Sequence, residues 1–175
     1  MAETFRRIRP TPTEAYLGNP HKGCCTFQGL NGGPLFPGTT WSEEGPLEIP
    51  PATQAVTAGY LPCTVAYCRW FWRVMEPAQG QYDFRMIERA LQACQERGQT
   101  LAVRLMAFGS WKQPQVPDWY AQSYPMIPFT YGGGEFLIPD LDSSEYLEHW
   151  GGFVREFGRR YDGHPFLESI DITYI

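Results

Sequence analysis

CTVAYCRWFWRVMEPAQGQYDF, residues 63–84, changes its period partway along. Residues 63–72 are rich in β-branched and aromatic side chains and read as a strand. Asp83 then stands where a helix N-cap belongs, and Phe84, Ile87, Leu91 and Cys94 recur at helical spacing until Gly98 supplies a C-terminal stop. TLAVRLMAF (100–108) follows as a nearly continuous apolar run, the kind a parallel sheet buries on both faces. Strand, helix and strand in that order make a parallel unit.

The flanks extend the same alternation. HKGCCTFQ (21–28) is a first strand, followed by a Gly- and Pro-rich loop from Gly29 to Pro51 and a short helical stretch near Ala52 to Ala58. Downstream, a second long loop from Gly109 to Leu141 carries seven aromatic residues and five prolines. Asp142 with Glu145 makes a capping box, and Tyr146, Trp150, Phe153, Phe157 and Tyr161 lay an apolar stripe along the helix after it. FLESIDITYI closes the sequence as a buried strand. The reading predicts neighbouring parallel strands over 63–70, 100–108 and 168–174, covered by helices over 83–97 and 143–161.

Two architectures fit this order. A doubly wound sheet usually carries a phosphate-binding Gly-rich turn after its first strand, and GLNGG (29–33) lacks the required spacing. The loops after the first and third strands are far longer than those after the helices, which places function at the carboxyl ends of the strands. The preferred fold is α/β, a partial (β/α)8 TIM barrel of about four βα units. No repeat or linker divides the chain, so residues 1–175 read as one domain. Its 175 residues fall short of the roughly 250 typical of a closed barrel.

Charge and composition remove several function classes. A net charge of −5, with no Lys/Arg cluster beyond Arg6, Arg7 and Arg9, gives no footprint for nucleic acid. No window reaches the length of a membrane span, and MAETFRRIRPTP lacks the apolar core of a secretory signal, so a cytoplasmic location is expected. The cysteines at 24, 25, 63, 68 and 94 form no CxxC pair and read as small buried hydrophobes in a reducing compartment. His21, His149 and His164 lack the spacing of a metal site and read as non-catalytic. Neither a metal nor a cofactor is expected.

The run Trp-x-x-x-Glu-Pro-x-x-Gly-x-Tyr-Asp-Phe, from Trp72 to Phe84, with the later GQTLAVRLM and VPDWY segments, resembles the first half of the barrel of retaining glycoside hydrolases. The nearest likeness is to the family-42 type β-galactosidases and to related uncharacterised barrels that open with an NPHKG-like segment. The resemblance covers residues 18–175 and implies a carbohydrate ligand. It maps substrate-binding roles onto Arg69 and Trp72 at the end of the second strand, Arg104 in the third strand, and Trp119 as a pocket wall, and it implies that Glu76 and Pro77 are the structural pair that turns the chain from strand to helix. Asp140 could reach the pocket mouth. Sugars offer apolar C–H faces to rings and hydroxyls to Arg or Asp, which suits these residue types. Trp70 and Phe71 read as core. A buried guanidinium needs a partner, and Glu76 or Asp140 could serve Arg69 and Arg104 structurally.

Retaining glycosidases use two carboxyl groups about 5 Å apart. The resemblance places the acid/base glutamate after the fourth strand and the nucleophile later, so both are expected beyond Ile175. Glu135 and Asp140 have no evident pairing, Glu168 stands at the wrong end of its strand, and Asp171 falls mid-strand in a structural position. Three functions stay open: the N-terminal part of a glycoside hydrolase, a non-catalytic carbohydrate-binding relative, or a half-barrel that self-associates through its open sheet edges.

Overall fold

In the computed structural model, the described residues are 9, 11–12, 14, 24–31, 43–44, 63–109 and 114–172. The main sheet has four strands: β1 (Cys25–Phe27), β2 (Val65–Phe71), β3 (Thr100–Met106) and β6 (Leu167–Ile172). They lie side by side in chain order, and every neighbouring pair is parallel. A doubly wound sheet reverses its strand order at a switch point. This sheet does not reverse, so it is an arc of consecutive strands of the kind that a (β/α)8 barrel closes.

The strand alternation sorts the side chains onto two faces. Ala66, Cys68 and Trp70 of β2 share the outer face with Leu101, Val103 and Leu105 of β3, and all six are fully buried. Two helices cover that face. Helix α2 (Arg85–Glu96) buries Ile87, Ala90, Leu91 and Cys94. Helix α4 (Ser144–Tyr161) buries the stripe Tyr146, Trp150, Phe153, Phe157 and Tyr161. These residues belong to one continuous core.

The helix ends show how local chemistry fixes the crossovers. At the end of α2, Gly98 has φ +65°, the Gly98 amide donates to the Gln95 carbonyl at 3.2 Å, and the Gln99 amide donates to the Cys94 carbonyl at 2.9 Å. That is the paired-bond pattern glycine makes inexpensive after a helix. The N-terminal caps sit one residue later than expected. Phe84 holds the N-cap position of α2, while Asp83 accepts from the Arg85 amide at 3.2 Å and from its guanidinium. Ser143, rather than Asp142, caps α4 by accepting from the Tyr146 amide at 3.1 Å. At α4 two neighbouring short polar side chains, Asp142 and Ser143, compete for the cap and spacing alone does not separate them, whereas Phe84 gives α2 no side-chain cap.

The segment expected to be a single long loop from Gly109 to Leu141 is partly ordered into secondary structure. It contains α3 (Asp118–Ser123) and an antiparallel hairpin of β4 (Met126–Tyr131) and β5 (Gly134–Pro139). Gly132 and Gly133 have φ +58° and +78° at its tip, which a two-residue hairpin turn requires. Its prolines disguised the hairpin, because proline is usually read as breaking a strand. The first strand is also shorter than 21–28, with residues 21–23 outside the described set; the helical stretch near 52–58 likewise lies outside it.

Candidate functional site

The inner face of the sheet is the open one. Tyr67 and Arg69 alternate with the buried outer-face residues of β2, and Arg104 does the same in β3. The register sets Arg69 against Arg104 and Arg104 against Asp171, one row across three strands. Like charges directly opposite one another in a sheet repel. Here each guanidinium has its own carboxylate.

Arg69 is ion-paired with Glu43, the two side chains being 24% and 18% exposed, and its guanidinium carbon lies 4.8 Å from the centre of the Phe27 ring. The Arg104 Nε lies 3.4 Å from Asp171 Oδ2, and the Tyr67 hydroxyl donates to the same oxygen at 3.1 Å. Burial pushes the Tyr67 phenol up from its ordinary value, and the bond to Asp171 adds to the shift. The Phe27 and Tyr67 rings stack with centroids 5.9 Å apart, and Phe27 is exposed. The result is an aromatic floor beside a row of paired charges, with both hydrogen-bond donors and acceptors on offer.

Gln28 extends this row where β1 ends. Its φ of +47° turns the backbone out of the strand, and its carboxamide replaces the missing ladder: Nε2 donates to the Arg69 carbonyl at 3.1 Å and Oε1 accepts from the Arg69 amide. In β6 a bulge leaves Glu168 unmatched between the Leu101–Leu167 and Ala102–Ser169 pairs. The Thr100 hydroxyl donates to that extra carboxylate at 2.8 Å. The bulge shifts the register by one residue and so brings Asp171 onto the inner face opposite Arg104.

The other residues expected at the site have different surroundings. Trp72 is fully buried at the start of α1 (Trp72–Met75), with Trp119, Tyr120, Trp150 and Phe153 around its ring. It is core, because β2 ends at Phe71 and the turn of helix directs the indole inward. Trp119 in α3 is half-buried, and its indole N–H donates to the Glu76 carbonyl at 3.0 Å. Asp140 forms the turn into α4: its side chain accepts from the Asp142 amide at 3.2 Å and its carbonyl from the Ser143 hydroxyl at 2.8 Å. Arg69 and Arg104 therefore pair with Glu43 and Asp171, not with Glu76 or Asp140.

Glu76 and Pro77 do turn the chain between β2 and α2. Glu76 is buried, accepting from the Trp72 indole N–H at 2.7 Å and from the Gly80 amide at 2.8 Å. Burial pushes its carboxyl above the ordinary value, against the pull of those two bonds. Among the described residues no group of His, Cys, Asp or Glu is arranged to hold a metal ion, and His149 packs on the Tyr124 ring at 4.7 Å. No helix among them is long and apolar enough to cross a membrane.

Sequence reasoning did not single out Phe27, Gln28, Glu43 or Tyr67, and it assigned Asp171 to structure. Tyr67 was accessible through parity, two residues before Arg69 on one strand. Glu43 carried no such signal, because it reaches Arg69 from a loop.

An arc of parallel strands in chain order, backed by helices on its outer face, is the architecture of part of an α/β barrel. The chain belongs to glycoside hydrolase family 42, whose model, described as beta-galactosidase, matches residues 55–173. Among solved structures it is similar to Exo-beta-1,4-mannosidase Op5Man5 from Opitutaceae bacterium strain TAV5, at 20% identity and a TM-score of 0.46. That match covers 63% of this chain and 18% of the mannosidase chain, so this chain spans about a fifth of that protein's length. No curated protein matches the chain.

Proposed function

We propose that residues 1–175 form one domain, the amino-terminal four-strand part of a β-galactosidase-like barrel, and that its inner face holds a neutral pyranoside. The observation that carries this reading is the row Arg69, Arg104 and Asp171, flanked by the Phe27 and Tyr67 rings. Each arginine can donate to sugar hydroxyls while its carboxylate orients it, and Asp171 and Glu43 retain lone pairs to accept from hydroxyls. The rings supply an apolar floor for a C–H face.

The residues here bind and orient rather than cleave. Both carboxylates of the row are engaged by arginines, and the buried Glu76 is held by two N–H donors on the strand-to-helix turn. Neither carboxylate of the row is thereby free to serve as the acid/base or the nucleophile that retention requires. Calorimetric titration of the chain with methyl β-galactoside tests this reading. Weak saturable binding that is lost in Arg104→Met, with no turnover of an aryl galactoside, is the expected result. Turnover by the purified chain that disappears in Glu135→Gln or Asp140→Asn would contradict it.

The exposed Ile170 and Ile172 of β6 favour a second reading, in which the sheet is completed by another copy of the chain. Edge strands readily template such pairing.

A further inference from the structure

Two exposed features depart from the sequence reading. Cys24 and Cys25, expected to be buried, are exposed, and part of the expected loop is the β4–β5 hairpin. Only the hairpin has the makings of a binding surface. It lies between β3 and α4 in chain order, so it belongs to the carboxyl end of the parallel sheet, where function collects in such folds. The segment leading into it crosses the same end of β2, where the Gln115 carbonyl accepts from the Arg73 amide at 3.0 Å. Arg69 and Arg104 each stand two residues before the end of their strand. The row and the root of the hairpin therefore share one rim, and from that root the six-residue strands reach roughly 20 Å.

Residues paired across an antiparallel ribbon share a face. Ile127, Phe129 and Tyr131 therefore lie on one side with Ile138, Phe136 and Gly134. At the root of that side Ile138 is buried in the core, and at the tip Tyr131 is 63% exposed. The Phe129 and Tyr131 rings are parallel within 7°, with centroids 6.4 Å apart. A Cβ on Gly134 would come within 2.8 Å of the Phe136 ring, so that ring lies over the Gly134 backbone, directly across from Tyr131. Three rings are thus set on one face, and that face is uncharged. Glu135, the only charged residue from 126 to 139, lies on the other side, paired with Thr130.

The edges of the ribbon do not invite another strand. The two-residue turn makes Tyr131 and Gly134 a hydrogen-bonded pair, and the alternation from there turns the backbone nitrogens of residues 128 and 139 outward. The 3.2 Å bond from the Asp140 amide to the Pro125 carbonyl keeps the same phase. Pro128 and Pro139 thus place a residue without an N–H on the outer edge of each strand, which blunts pairing with a further chain. What remains on offer is a neutral aromatic face, and its chemistry matches the apolar C–H face of a pyranose. We propose that this face is a second carbohydrate subsite, stacking a later sugar unit of a neutral oligosaccharide whose terminal galactoside lies on the row of Arg69, Arg104 and Asp171. The inference rests on the inner-face reading given above. Phe129 and Tyr131 then select for chain length rather than for the terminal sugar, and a methyl aglycone is too short to engage them.

The test compares methyl β-galactoside with β-linked galactotriose by calorimetry and by amide shift mapping. Galactotriose should bind several-fold to about tenfold tighter than the methyl glycoside, with added shifts at Phe129, Tyr131 and Phe136. Tyr131→Ala should remove that advantage and leave the affinity for methyl β-galactoside unchanged, whereas Tyr131→Trp should keep it. Equal affinities for the two ligands, with the row responding and the hairpin amides unmoved, would overturn the subsite and leave the inner-face reading standing. Galactotriose shifts confined to the hairpin would contradict the inner-face reading while supporting the hairpin as a sugar surface, and no response at either place would overturn both. Hairpin shifts that depend on protein concentration without sugar would assign the face to a second copy of the chain and overturn the proposal as well.

Discussion

Arg104 and Asp171 are direct partners in the β3–β6 register, and their side chains meet with Nε 3.4 Å from Oδ2. The pair is partly open, at 33% and 47% exposure, so solvent screens most of its attraction. A double-mutant cycle through Arg104→Met and Asp171→Asn should give a coupling of only about 0–1 kcal/mol in stability. Each single variant should nevertheless lose galactoside binding. Equal losses of stability and binding, with coupling of several kcal/mol, would make the pair a structural tie instead.

Glu76 should give the chain a distinctive pH dependence. Burial raises its carboxyl above the ordinary glutamate value, so between that ordinary value and the raised one the folded chain holds a proton that the unfolded chain releases. Stability then falls as pH rises through that window. Asp83 and Glu156, held low by Arg85 and Arg159 respectively, slope the other way below their ordinary values. The difference in thermal midpoint between the unaltered chain and Glu76→Gln, followed from pH 4 upward, isolates Glu76 and should shrink on acidification. A flat difference would show that the buried carboxyl titrates normally.

Trp72 separates core from site. Replacing it with Phe keeps most of the ring volume but removes the N–H that serves Glu76. An unsatisfied buried acceptor costs about 1–3 kcal/mol. Chemical denaturation should register that loss while the affinity of the remaining folded chain for galactoside stays unchanged. A stable Trp72→Phe variant that no longer binds sugar would return Trp72 to the pocket.

The outer face of β6 predicts the association behaviour. Ile170 and Ile172 are 36% and 43% exposed, and Leu167 and Ile170 line an open groove with Arg155 and Arg159 of α4. Light scattering on the purified chain should detect self-association at micromolar concentration, reduced by Ile172→Lys. A monodisperse 20.0 kDa species across that range would count against an adhesive edge.

The parts of the fold that follow from period and capping were legible in the sequence. The apolar run at 100–108 and the stripe from Tyr146 to Tyr161 became β3 and α4 because burial on a sheet and on a helix leave different spacings. The site was less legible, for reasons of register. Arg69 and Arg104 could be picked out as charges inside strands, but their partners depend on a bulge at Glu168 and on a loop that brings in Glu43. Trp72 misled because it lies one residue past the strand, where helical geometry takes over and sends the ring into the core. The β4–β5 hairpin was hidden by Pro128 and Pro139, which occupy a two-stranded ribbon that has edges on both sides.

The central claim, that the inner face of this sheet is where a sugar sits, is tested most directly by mapping amide chemical shifts of the isotopically labelled chain during titration with methyl β-galactoside. The account predicts saturable changes concentrated at Phe27, Tyr67, Arg69, Arg104 and Asp171, with the buried outer-face residues Cys68 and Val103 unmoved. Saturable changes confined to the β4–β5 hairpin, or none at any galactoside concentration, would contradict it.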